Sequence, residues 1–160
     1  MIIKSYQINQ INPKVHNLLL FYGKNEGLKN EVIKNIIKDK KNINNYDEKE
    51  VLENEYNFIE NILTKSLFDD EKIIIIKRST DRILKVIESL NSEKLEDITI
   101  IVNADNLEKK SKLRSFFEKN KETICIPFYP DNDQTLSKLA YDFLKNRKIS
   151  ISQSNINLII

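Results

Sequence analysis

The chain has 160 residues, of which 40% are hydrophobic and 31% charged, and its formal net charge at pH 7 is +2. This composition predicts a soluble, cytoplasmic protein with one well-packed domain and room for a small appendage. No apolar run approaches the roughly 20 residues of a membrane helix, so no membrane association is expected. The small net charge does not by itself indicate nucleic-acid binding. A single cysteine, Cys125, excludes an internal disulfide and is expected in the core, and one histidine argues against a zinc site.

The first half of the chain predicts strands alternating with helices. An apolar strand over residues 18–22 runs through Gly23 into a helix, and a weaker strand is expected over residues 43–46. A longer helix then carries an apolar stripe, and a strongly apolar strand follows over residues 73–76. The stripe consists of Leu52, Tyr56, Ile59 and Leu63, flanked by Phe58 and Ile62.

The second half continues the alternation. Thr80 or Asp81 can cap a helix that buries Ile83, Val86, Ile87 and Leu90, and strands are expected over residues 98–102 and 124–128. Between these strands, Ser111 can cap a short helix. The strands are continuous apolar runs instead of alternating ones, as in a parallel sheet covered by helices on both faces. The sequence therefore predicts an open parallel α/β sheet of about five strands.

After Pro127 the pattern changes to helices alone. Residues 130–133 predict a turn and a cap, and a helix carrying Leu136, Leu139, Ala140, Phe143 and Leu144 is not followed by a strand. Residues 154–160 resemble a capped helix at its start, and the apolar ending suggests a fragment. We therefore expect one domain over residues 1–128 and, over residues 129–160, the start of a truncated small helical domain.

The turn after the first strand lies where nucleotide-binding folds hold phosphate. A phosphate loop needs G-x-x-x-x-G-K-[ST], because its backbone amides, lysine and hydroxyl bind the phosphates and Mg²⁺. Here Gly27 is followed by Leu28, Lys29 and Asn30. The strand over residues 73–76 ends in Lys77 and Arg78 where an NTPase carries acidic metal ligands. We expect an NTPase-like architecture that binds no cofactor and acts as a scaffold or binding subunit.

Two segments are candidate binding sites. Lys109, Lys110, Lys112 and Arg114 form the densest basic cluster and are weak candidates for DNA contact, since no aromatic residues interleave to stack bases. The second segment is Ser66-Leu67-Phe68-Asp69-Asp70. Its apolar pair either closes the core as a continuation of the preceding stripe or forms an exposed wedge with an acidic rim.

Three segments together resemble the delta subunit of the bacterial DNA polymerase III clamp loader. They are residues 18–27, the Ser66-Leu67-Phe68 step before a hydrophobic strand, and residues 107–118, where Lys-Lys-Ser-Lys-Leu-Arg is similar to alphaproteobacterial members. This resemblance spans nearly the whole chain. It implies an AAA+-like N-terminal domain without a working nucleotide site, followed by a small lid-like helical domain.

The resemblance also implies the function. Members bind the ring-shaped sliding clamp through a Leu-Phe pair, here Leu67 and Phe68 beside Ser66, and help to open it for loading onto primed DNA in replication. Such a subunit is no enzyme by itself but part of the polymerase holoenzyme. Its partners are the clamp, the ATPase and delta prime subunits, and DNA through the assembled complex. A nucleotide-using enzyme with a degenerate loop and a nucleic-acid-binding module remain the alternatives.

Overall fold

The computed structural model describes residues 1–4, 7, 11, 16–38, 40–64 and 71–160. These residues form two compact units, Met1–Phe128 and Tyr129–Ile160. Among the described residues, the first unit contains a five-stranded sheet and five α-helices, and the second contains two helices.

The sheet of the first unit is parallel throughout, with the strand order β2-β3-β4-β1-β5. The expected fold class, an open parallel sheet of five strands with flanking helices, is confirmed. The strands are β1 (Leu18–Tyr22), β2 (Asn42–Asp47), β3 (Lys72–Ser79), β4 (Ile98–Ala104) and β5 (Thr123–Pro127).

Helices cover both faces of this sheet, which explains the uninterrupted apolar strands. Every residue of β1 is buried, with Leu19 and Phe21 on one face and Leu18, Leu20 and Tyr22 on the other. The first face packs against α1 (Glu26–Ile37). The other packs against the helices α2 (Glu48–Glu53), α3 (Glu55–Leu63), α4 (Leu84–Ser92) and α5 (Lys112–Lys119).

The prediction of a single long helix before β3 is wrong, because two separate helices, α2 and α3, meet at Asn54. A capping box between Asp47 and Glu50 starts α2 directly after β2, and the Asn54 N–H closes that helix on Val51 O at 3.3 Å. In α3 the buried residues are Phe58 and Ile62, four positions apart. The predicted stripe is therefore at the margin of the core, and Tyr56 within it is 76% exposed.

The caps predicted for α4 and α5 are found with one difference. Thr80 Oγ1 accepts from Arg82 N at 3.3 Å and begins a short 3-10 turn, Asp81–Ile83, that leads into α4. Ser111 Oγ accepts from Arg114 N at 3.1 Å, as expected for the start of α5. Cys125 is fully buried in β5, and burial raises the pKa of its thiol to about 12.

The second unit contains α6 (Asp133–Asn146) and α7 (Gln153–Ile159). Asn132 and Thr135 form a capping box at the start of α6. Ser152 caps α7, which therefore begins before Ser154, and Ile156 is its buried residue. The helix predicted after Pro127 is present as α6, and its Leu139 and Phe143 side chains are 58% and 53% exposed.

Candidate functional site

The carboxyl ends of the strands are the place where open parallel sheets bind ligands. Here the turn after β1 is hydrogen-bonded to the segments that follow β4 and β5. Gly23 N donates to Asp105 O at 3.0 Å, and Asn25 N donates to Phe128 O at 3.2 Å. Phe128 N in turn donates to Tyr22 O at 2.7 Å. Three strand ends are thus joined through their backbones at this edge.

Gly23 is the residue that permits this close approach. Its φ is +127°, a conformation that residues with a side chain rarely adopt. A Cβ at this position would lie 2.1 Å from Phe128 O, far inside van der Waals contact. The turn therefore requires glycine for reasons of backbone geometry and packing, without reference to any ligand.

Lys29 lies in the first half of α1, and its side chain is fully buried. Its Nζ donates to Gly23 O at 3.2 Å and to Ala104 O at 2.7 Å, and it forms an ion pair with Glu26 Oε1 at 2.5 Å. An ammonium group has three donors, and these three acceptors account for all of them. The cation therefore joins the turn after β1 to the end of β4 within the protein interior.

Lys29 occupies the lysine position of the phosphate-loop pattern when the pattern is counted from Gly23. Leu28 then stands in place of the second glycine and Asn30 in place of the Ser or Thr. Sequence reasoning missed this because it counted from Gly27. The distance of six residues from Gly23 was the signal that could have identified Lys29.

The end of β3, where an NTPase carries acidic metal ligands, has an irregular backbone. The register with β4 shifts between Ile76 and Ser79, and Arg78 has a φ of 56°. Arg78 forms an ion pair with Asp47 at the end of β2, while Lys77 is exposed. Asn103 lies within β4 and pairs in register with Phe21.

Two further carboxylates at this edge accept hydrogen bonds from neighbouring elements. Glu48, the first residue of α2, is buried and accepts from Thr80 N at 2.6 Å and from Thr80 Oγ1 at 2.9 Å. Asp81 accepts from Ser111 Oγ at 2.5 Å and from the first amides of α5. Partial burial raises the pKa of Asp81, but these hydrogen bonds outweigh it and leave the pKa below its ordinary value.

The basic cluster divides into exposed and packed members. Lys109, Lys110 and Lys112 are exposed along an open groove of about 610 Å³, and Lys110 pairs with Glu108 at 2.9 Å. Arg114 is partly buried, and its Nε donates to Glu118 Oε1 at 2.8 Å. Arg114 also donates from Nη1 to Leu107 O at 3.2 Å and lies 4.9 Å from the Tyr22 ring.

Ser66, Leu67 and Phe68 lie outside the described residues, and so do Asp69 and Asp70. The described residues just before them form a shallow apolar groove of about 390 Å³ on α3 and its cap. This α3 groove is lined by Tyr56, Ile59, Glu60, Leu63 and Thr64. On the other side of the gap, Lys72 Nζ donates to Asn61 O at 2.6 Å and holds the start of β3 against the end of α3.

Two absences hold for the described part of the chain. It contains no group of three or more His, Cys, Asp or Glu side chains that could hold a metal ion. Within the same residues, no helix combines the length and apolar character needed to cross a membrane.

The fold and this edge define an open parallel α/β protein in which the lysine at the phosphate position is bound by groups of the protein itself. Residues 19–127, more than half of the chain, match the family described as DNA polymerase III, delta subunit, and the chain belongs to this family. Its fold is similar to that of the Bacillus subtilis DNA clamp loader delta protein (YqeN), with a TM-score of 0.68 at 15% sequence identity. The similarity covers 96% of this chain and 50% of that protein, so the chain spans half of its length. No curated protein matches the chain.

Proposed function

We propose that this chain is the N-terminal part of a clamp-loader subunit that binds the sliding clamp and helps to open it for loading onto primed DNA. Residues 1–128 are the clamp-binding domain, and residues 129–160 begin a small helical domain. The observation that carries the proposal is the family match over residues 19–127. The subunit performs no chemistry itself, and ATP is used by partner subunits of the assembled loader.

The described residues of α3, which precede Leu67 and Phe68 in the sequence, support the assignment of this pair as the clamp-binding residues. A core role for Leu67 was inferred from the stripe that runs through Tyr56, but Tyr56 is 76% exposed. The inward face of α3 is instead formed by Phe58 and Ile62. Ile59 and Leu63 of the stripe are partly buried against the core and also line the α3 groove. We therefore favour an exposed clamp-binding role for the Leu-Phe pair over closure of the core.

The polar residues at the carboxyl edge support a non-catalytic role. Lys29, Glu48 and Asp81 all have partners within the fold. A catalytic edge would instead direct such side chains into a cleft within reach of a substrate. Here they join strands to helices.

Clamp opening needs no chemistry from a subunit of this kind. A ring with an open and a closed state shifts toward the state that a partner binds more tightly, and the shift is limited by the difference between the two affinities. A buried Leu-Phe anchor typically contributes on the order of 2–4 kcal/mol of binding. If that energy were available only in the open ring, it would favour opening by roughly 30- to 1000-fold.

The deciding experiment compares Leu67→Ala/Phe68→Ala with the unmodified chain in binding to the purified sliding clamp. We expect clamp binding to be abolished while the melting transition is nearly unchanged. Leu139→Ala/Phe143→Ala is a matched control, because it removes an exposed Leu-Phe pair on α6. Unchanged clamp affinity in the first variant would refute the assignment, and a large loss of stability would return the pair to the core.

A further inference from the structure

We propose that oxygens of the protein take the place of a bound phosphate around Lys29, and that this internal cation fixes the turn after β1 in one conformation without a nucleotide. The inference concerns the response of this edge to ligands. It goes beyond the proposed function and does not depend on clamp binding.

The burial of the ammonium group is the first support. An unpaired charge in the interior costs several kcal/mol, so a buried lysine persists only where its donors are satisfied. Lys29 is 0% exposed, and its acceptors are two backbone carbonyls and the Glu26 carboxylate. The contacts therefore form a complete set, with no donor left for a phosphate oxygen.

The origin of the acceptors is the second support. Gly23 O belongs to the turn after β1, Ala104 O to the end of β4, and Glu26 to the first turn of α1. One cation thus connects three elements that a phosphate loop would arrange around its ligand. Glu26 places a negative charge at the helix N-terminus, where a phosphate would otherwise interact favourably with the helix dipole.

The backbone around the turn is the third support. Gly23 N is bonded to Asp105 O and Asn25 N to Phe128 O, so the turn is held by the backbones that follow β4 and β5. Asn25 Oδ1 accepts from Leu28 N at 3.1 Å and occupies one of the first free amides of α1. In a phosphate loop, amides and a lysine of this kind bind the ligand. In this chain they bind the protein itself.

Amide hydrogen exchange of Lys29→Met in the full chain tests the proposal. Met keeps the length and apolar stem of the side chain but cannot bind the two carbonyls. We expect the Gly23 and Asn25 amides to exchange at least tenfold faster relative to the Ile100 amide, which is bonded to Asn17 O at the opposite end of the sheet. Lys34→Met, an exposed position on the same helix, is the matched control and should change neither ratio.

Glu26→Gln keeps the test decisive if Lys29→Met does not fold. It retains a hydrogen-bond acceptor for Lys29 but removes the charge, so a smaller acceleration at Gly23 and Asn25 is expected. Unchanged relative exchange in both variants would overturn the proposal. The clamp affinity of the same variants is a separate readout, and its loss or retention bears only on the proposed function.

Addition of millimolar ATP with Mg²⁺, or of inorganic triphosphate, forms the second arm. The unmodified chain should show no change in melting temperature or in exchange at Gly23, because Lys29 is already engaged. Protection that depends on Lys29 would show that the lysine turns outward to phosphate, and this result would also overturn the proposal. Such a ligand must stabilise the native state in proportion to its occupancy.

Discussion

Asp81, at the start of one helix, accepts a hydrogen bond of 2.5 Å from Ser111, the residue that caps another. The same carboxylate accepts from Leu113 N at 3.0 Å and from Lys112 N at 3.1 Å. Ser111 Oγ in turn accepts from Arg114 N. The N-terminus of α5 is therefore held by a local cap and by a carboxylate 30 residues earlier in the chain.

Asp81→Ala should lower the free energy of unfolding by about 1 kcal/mol at neutral pH, a typical value for a lost helix cap. Since Asp81 is exposed at the surface, solvent screening keeps the effect small. Its pKa in the folded state is lower than the ordinary 3.8. The stability that ionised Asp81 contributes should therefore be complete above about pH 3.8 and should disappear as the pH falls through the lower, folded-state pKa. Urea unfolding of both proteins across this range measures the difference, and a constant difference would contradict the assignment.

Gly23→Ala and Gly27→Ala should have opposite effects. At Gly23 the positive φ and the 2.1 Å approach of a Cβ to Phe128 O should cost at least about 3 kcal/mol of stability. Gly27 is helical, and its nearest neighbour, Asn25 Oδ1, would lie 3.8 Å from the new Cβ. Alanine there should stabilise by roughly 0.5 kcal/mol through helix propensity. Thermal unfolding of the two variants measures both effects, and equal shifts would contradict the geometry described for Gly23.

On the proposed function, Tyr56→Ala should weaken clamp binding about tenfold, because an exposed aromatic ring contributes on the order of 1–2 kcal/mol at an interface. The free energy of unfolding of this variant should change by less than about 0.5 kcal/mol, as is usual for surface positions. Tyr129→Ala, where the tyrosine is 67% exposed, is the control and should leave clamp affinity unchanged. Equal affinities for the two variants would restrict the clamp-binding surface to residues outside the α3 groove.

Arg114 and Lys112 should respond differently to replacement by Gln. Arg114→Gln removes the bond to Glu118 and the stacking on Tyr22, so it should cost about 1–2 kcal/mol of stability. Lys112→Gln at an exposed position should leave the melting temperature equal, within error, to that of the unmodified chain.

DNA binding by the chain should be weak at physiological salt. Each lysine that contacts a phosphate contributes about 0.9 to the slope of log affinity against log salt concentration. An unchanged slope after replacement of Lys109, Lys110 and Lys112 would remove them as DNA contacts.

β1, β3, β4 and β5 could be predicted from sequence because each contains a run of apolar residues whose length and end signals are local, whereas the mostly polar β2 carries only a weak signal. The order β2-β3-β4-β1-β5 could not, since it depends on which distant strands pair. The junction at Asn54 was missed although its cue, the capping box between Asp47 and Glu50, is present in the sequence. Local amphipathicity was visible there, but the helix break between the two segments was not recognised.

The candidate site was predictable to a different degree at each position. The departure from the phosphate-loop pattern is visible in the residues, whereas the partners of Lys29 are not, because Ala104 lies 75 residues away. The sequence did not show that Arg114 is packed while its lysine neighbours are exposed. Which side chains of a helix face inward is ambiguous near the residue at which the helix begins. The roles of Ser66, Leu67 and Phe68, and the similarity to alphaproteobacterial members, stay predictions.

The place of β1 between β4 and β5 has a consequence for synthesis on the ribosome. Its partners, β4 and β5, begin only at Ile98 and Thr123, so the first strand to be translated waits for both neighbours. At about 5–20 residues/s the interval from Tyr22 to Ile98 lasts roughly 4–15 s. During that time the fully apolar β1 has no native strand to pair with. Nascent chains stalled before Ile98 should therefore recruit chaperones, and release should coincide with the emergence of β4.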